Sequence, residues 1–198
     1  MPYPANHRAE TKERIVVAAR KLFNRHGFDG VSVQKIMTDA GLTHGVFYKY
    51  FTSKNELYVR AMDCFFTDPK WNNNWEGVHV DMSSADVGAQ ILRAYLSAQH
   101  LEEVDNPCPM VALPSDVTRS DANAKRAYQN VFEAMVGLLQ RNSNIGGPCG
   151  RKTALAIAAL CVGGMVVARA SERRDFADEV RNAALDVALK LGGRDSEH

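Results

Sequence analysis

Residues 32–56 read SVQKIMTDAGLTHGVFYKYFTSKNE, and this stretch decides the fold. Ser32 precedes a short run in which Val33, Ile36, Met37 and Ala40 recur at helical spacing. Its hydroxyl is placed to cap a helix, and those four side chains form the buried face. Gly41-Leu42-Thr43 follows as a tight turn. Thr43 is placed to cap a third helix running to about Tyr50, with Val46 and Phe47 turned inward. Ser53-Lys54-Asn55-Glu56 is a capping box. It opens a fourth helix whose Leu57, Ala61 and Phe65 face the core. Two short helices joined by a Gly-containing turn describe a helix-turn-helix.

Upstream, Ile15, Ala18, Ala19, Leu22 and Phe23 fall on one face of a first helix, and Gly27 is a stop signal just past it. Downstream, residues 67–82 carry Pro, Gly and three consecutive Asn without helical period, and read as a loop. Ser83-Ser84-Ala85-Asp86 is a further cap, followed by Ile91, Leu92, Tyr95, Leu96 and Gln99 at helical spacing. Pro107, Pro109 and Pro114 predict a short or kinked helix within 105–120. Long helices are expected near 121–141, over 151–170 and over 176–191, with SNIGGPCG as a linker. No repeat and no strand pattern appears. The fold class is all-α. The expected domains are a helix-turn-helix unit at 1–52 and a larger helical domain at 53–198.

Composition agrees. The chain has 198 residues, 45% hydrophobic and 24% charged, enough to bury a sizeable core. Its net charge is +1. Residues 1–66 carry 10 Lys/Arg against 6 Asp/Glu, so a basic N-terminal third precedes a slightly acidic body. The first ten residues lack the apolar core of a secretory signal, and the longest apolar stretch, within 154–170, is interrupted by Gly163 and Gly164. No membrane association is expected. Cys64, Cys108, Cys149 and Cys161 lack paired spacing, which argues against a disulfide scaffold or zinc site and for the cytoplasm. Cys108, between two prolines, is either a thiol sensor or an inert buried thiol.

The surface of the third helix supplies what a duplex-reading helix needs. His44, Tyr48, Lys49 and Tyr50 bring donors for phosphates and base edges, and Gly45 leaves the backbone bare.

Two stretches, RIVVAARKLFNRHGFDGVSV and AGLTHGVFYKYFTSKNEL, resemble the DNA-binding domain of TetR-family transcriptional regulators over about residues 10–60. The resemblance implies that positions His44, Gly45 and Lys49 face base edges, and that Tyr48, Tyr50 and Lys54 touch phosphates. Thr43 does either. Ser32, Val33 and Gln34 lie near the DNA. Met37 departs from the small residue common there, which affects packing rather than the DNA face. The resemblance also implies a homodimer on a palindromic operator in double-stranded DNA.

The 151–170 helix is too apolar for a monomer's surface, unless it is an internal core helix. Its small residues Ala154, Ala158, Gly163, Gly164 and Ala168 permit close helix approach. The expected interface comprises Ala158, Gly163, Gly164, Val180, Ala184 and Val187. The resemblance further implies a small-molecule effector that lowers DNA affinity, giving a repressor. Candidate liners are Trp71, Trp75, Tyr95, His100, Met110, Phe132 and Met135, residue types that are more often plain core than ligand contacts. An activator, an effector-independent regulator and a helical ligand carrier stay open as alternatives.

Enzyme readings find no support. GGPCGRKT at 146–153 departs from a phosphate-binding loop in its glycine spacing and has no preceding strand. Ser115 lacks a G-x-S-x-G frame, and the six histidines show no metal spacing. No catalytic residue, metal or cofactor is expected.

Overall fold

The computed structural model describes residues 5–63, 80–81, 83–104, 107–142 and 149–193. Regular structure among them is helical throughout. In chain order it comprises α1 (Ala5–His26), α2 (Val33–Asp39), a 3₁₀ helix (His44–Lys49), α3 (Lys54–Asp63), α4 (Val87–Tyr95) and α5 (Ala98–Glu102). It continues with α6 (Pro109–Ala112), α7 (Pro114–Arg119), α8 (Ala122–Asn142), α9 (Cys149–Arg169) and α10 (Arg174–Leu191). The all-α expectation holds, with a helix-turn-helix at the N-terminal end and further helices after it.

The helices gather in two compact units. One takes Met1–Asp68 with Val104–Asn130, the other Pro69–Glu103 with Val131–His198. Helix α3 packs on α1, and Leu113, Val117, Ala124 and Ala127 are buried in the same core as Ile15, Phe23, Ile36, Phe47 and Leu57. The helix-turn-helix is too small to close its own apolar core, and a distant segment completes it.

Local signals account for the elements of the first unit. The apolar face foreseen for α1 is buried from Ile15 to Phe23. Gly27 ends the helix at φ +71°, its N–H donating to the Phe23 carbonyl at 2.8 Å. Ser32 caps α2, its Oγ accepting from the Lys35 N–H at 3.1 Å. The Arg14 guanidinium donates to the Ala40 carbonyl at 2.6 Å and closes the other end. Met37 is fully buried. The third helix is 3₁₀ rather than α, and Thr43 precedes it without a side-chain cap bond. Ser53 Oγ accepts from the Glu56 N–H at 3.0 Å, as a capping box requires. The Glu56 carboxylate instead accepts from Thr52, at N–H and Oγ, both at 2.7 Å. These bonds hold the Glu56 carboxyl below its ordinary value. Pro109 and Pro114 split the 105–120 region into α6 and α7, each with its proline in the first turn, where no N–H is needed.

In the second unit α9 packs along α10. The buried face of α9 is Ala154, Ile157, Ala158, Cys161, Met165 and Ala168, and that of α10 is Ala177, Arg181, Ala184, Ala188 and Leu189. Arg181 is buried; its two terminal nitrogens donate to the Leu96 carbonyl and to the Asp178 carboxylate, while its buried Nε has no hydrogen-bond partner among the described residues. Residues Gly150–Arg169 are long and apolar enough, by length and composition, to cross a membrane. The sequence reading underestimated this stretch because it treated the two central glycines as an interruption. Gly164 instead serves close packing: a Cβ there would lie 2.8 Å from Ala184 Cβ and 3.7 Å from Leu96.

Candidate nucleic-acid interface

Phe47 anchors the 3₁₀ helix. It is fully buried, its ring 5.8 Å from that of Phe51, and Val46 is half-buried beside it. The intervening positions point outward. Thr43, His44, Gly45, Tyr48 and Lys49 are exposed, and Tyr48 keeps 64% of its surface. Its ring meets Phe47 edge-on at 5.2 Å and His44 at 5.8 Å, so it stands on the core rather than swinging free. A Cβ at Gly45 would meet nothing within 4 Å. The absence of a side chain there has no internal steric cause.

The start of α2 adds exposed Ser32, Gln34 and Lys35, with Val33 half-buried. Tyr50 is half-buried at the end of the 3₁₀ helix. An open groove of about 790 Å³ adjoins this surface, lined by His7, Arg8, Thr11, Leu42, Val46, Lys49 and Tyr50. Sequence reasoning missed His7 and Arg8. Helical periodicity marks the buried face of α1, but not which exposed residues of its first turns lie next to the turn helix.

Lys54 has backbone partners within its own unit. Its Nζ donates to the Phe28 carbonyl at 2.9 Å and the Val31 carbonyl at 3.0 Å, and lies 4.0 Å from the Phe28 ring centre. The ammonium is engaged in holding the loop before α2 rather than projecting into solvent.

The other predicted residues divide. Tyr95, His100 and Met135 are buried and Phe132 half-buried in the second unit, while Met110 is buried in the first. Three cavities among the described residues are lined by other side chains. Trp71 and Trp75 lie outside the described residues, as do Phe65 and the rest of the 67–79 loop. His100 is fully buried; its Nδ1 bonds the Tyr95 carbonyl at 2.5 Å, and burial pushes its pKa down to about 4. Of the expected interface, Ala158, Gly164 and Ala184 are buried within their own unit. Their place is internal because α9 and α10 approach through them. Val180 is half-buried, and Gly163 and Val187 are exposed. The outward apolar side chains are Val167, Phe176, Val187 and Leu191, each between 44% and 47% exposed. Cys108 and Cys161 are buried, and burial pushes the Cys161 thiol up to about 12.

Residues 15–61 match the model of bacterial regulatory proteins of the tetR family. An uncharacterized HTH-type transcriptional regulator of Bacillus subtilis, YerO, is 36% identical over 56 residues, covering 28% of this chain and 19% of that protein. An HTH-type transcriptional regulator of Staphylococcus aureus is 32% identical over 82 residues, covering 37% of this chain and 44% of its own. The matches thus span less than half the length of these curated relatives. A TetR-family transcriptional regulator from Cytophaga hutchinsonii superposes with a TM-score of 0.70 at 16% identity, over 96% of both chains, which is a likeness of fold.

Proposed function

We propose that the chain is a cytoplasmic, homodimeric repressor of the tetR family of bacterial regulatory proteins, whose family model its residues 15–61 match. It binds a palindromic operator in double-stranded DNA and leaves it when a small molecule binds the second unit. The observation that carries the reading is the 3₁₀ helix: buried at Phe47, exposed at His44, Tyr48 and Lys49, and bare at Gly45 for no internal reason. Lys49 is assigned to a base edge with His44. Tyr48 and Tyr50 are assigned to phosphates, together with the exposed Ser32 and Gln34 at the start of α2.

Dimerisation is assigned to the outward side of α9 and α10, around Gly163, Val167, Phe176, Val187 and Leu191. Exposed apolar side chains clustered on two packed helices favour a second copy over water. The effector is assigned to the second unit, with Tyr95, His100, Phe132 and Met135 as candidate liners.

Selection of the purified protein on random duplex DNA at near-physiological salt tests the reading. Enrichment of a two-fold-symmetric motif supports a dimeric DNA reader. A folded dimer that enriches nothing, even after refolding to strip co-purified ligand, refutes it.

A further inference from the structure

The loop Gly27–Val31 sets where α2 begins, and residues remote in sequence hold it. The Phe28 N–H donates to Asp116 Oδ2 at 3.1 Å. Its carbonyl and that of Val31 accept from Lys54 Nζ. Its ring lies 5.0 Å from Tyr58 and 5.9 Å from Phe23. Gly27 turns at φ +71°, and a Cβ there would stand 2.6 Å from Asp116 Oδ2. Asp116 is itself fixed: Arg119 donates to its Oδ1 at 2.8 Å, and its neighbours Leu113 and Val117 are buried in the core beneath. Two further bonds fasten the same segment to the helix-turn-helix. Asn24 Nδ2 donates to the Pro107 carbonyl, and Asn55 Nδ2 to Asp121 Oδ2, both at 2.8 Å.

We propose that Asp116 is a positioning residue for DNA reading: it fixes the Phe28 backbone against Gly27, and so holds Ser32 and the exposed first turn of α2 in register with the 3₁₀ helix. The inference rests on the DNA-reading function proposed above. It differs from a purely stabilising role because the tie acts on the backbone four residues before Ser32. Asp116 bears a negative charge and makes no phosphate contact itself. Losing its charge alone would raise affinity for any duplex. A fall in affinity for the operator therefore reports geometry.

The full-length protein and its Asp116→Ala, Asp116→Asn and Arg119→Ala variants are compared by fluorescence anisotropy. Each is measured on the enriched duplex and on a scrambled one, across a salt series, at a temperature where circular dichroism shows all folded. Asp116→Ala is expected to lose roughly tenfold in affinity for the enriched duplex, the worth of one charge-assisted hydrogen bond. Binding to the scrambled duplex should not weaken, and the salt slope should stay the same because no cation leaves a phosphate. Asp116→Asn keeps an oxygen that accepts from Phe28 and is expected to restore most of the loss. Arg119→Ala removes only an exposed partner of Asp116, which Leu113 and Val117 still hold, and is expected to lose less than Asp116→Ala on the enriched duplex. Asp116→Glu, whose extra methylene crowds Gly27, is expected to fall between and serves if the alanine variant does not fold.

The proposal is overturned if Asp116→Ala discriminates as well as the unaltered chain, if it weakens both duplexes equally, or if Asn and Ala behave alike. An unaltered chain that shows no preference for any duplex overturns the DNA-reading function itself, and is visible before any variant is made.

Discussion

Acidification should destabilise this protein through His100. The imidazole is fully buried. Its Nδ1 lies 2.5 Å from the Tyr95 carbonyl and its ring meets the Tyr95 ring edge-on at 4.8 Å. Burial is the largest influence and disfavours the cation; the Tyr95 carbonyl opposes it weakly, and the Arg169 guanidinium reinforces it. The pKa falls from 6.5 to about 4. The folded value lies below the unfolded one, so between them the unfolded chain binds more protons, and folding loses stability as pH falls through that window. At about 1.36 kcal/mol per pH unit, going from pH 7 to pH 5 removes about 2 kcal/mol, and going to pH 4 about 3 kcal/mol. That is a large share of the ~5–15 kcal/mol that holds a typical domain.

The assay is urea unfolding followed by circular dichroism at pH 7, 6 and 5, with protein concentration held constant because the proposed dimerisation would shift the midpoint. His100→Gln provides the reference: its amide can donate to the Tyr95 carbonyl and does not titrate. The carboxylates of Glu56, Asp175 and Asp178, all held low by hydrogen bonds, titrate in both proteins and cancel in the comparison. The unaltered chain should lose about 2 kcal/mol more than the variant between pH 7 and pH 5. Parallel pH profiles, or an imidazole that titrates near 6.5 by NMR, would refute the reasoning.

The remaining predictions concern packing, capping and readout. Gly164→Ala should cost about 1–3 kcal/mol of thermal stability, because its Cβ meets Ala184 at 2.8 Å. Gly163→Ala, in open space, should leave the fold intact; any change should appear in the dimer's dissociation constant by sedimentation. Ser32→Ala removes the α2 cap and should cost about 1 kcal/mol in chemical unfolding. Lys49→Ala should relax the base preference at one or two operator positions in repeated selection. Tyr48→Phe should instead lower affinity evenly across sequences.

What the sequence determined was local. Helix positions follow from apolar residues repeating every three to four positions, and α1, α8, α9 and α10 lie where that repeat places them. Ser32, Ser53 and Gly27 mark helix ends because a cap bond or a positive φ involves only a few neighbouring residues. The outward set His44, Gly45, Tyr48 and Lys49 was legible for the same reason: once Val46 and Phe47 are recognised as the inward pair, the other positions of the short helix face out.

Tertiary structure decided whatever depended on residues far apart in the chain. Lys54 reads as a surface cation until the Phe28 and Val31 carbonyls, 26 and 23 residues away, are brought to it. Asp116 meets Phe28 across 88 residues, and no periodicity links them. Small residues run round α9 on every side, so composition alone did not show that Gly164 faces Ala184 while Gly163 faces out. The cover of the helix-turn-helix follows for a related reason. The helix-turn-helix leaves apolar area uncovered, and only the three-dimensional course of the chain assigned Leu113, Val117, Ala124 and Ala127 to cover it. A repeat along a helix tells a residue whether to be buried, but the partner it is buried against is chosen by packing.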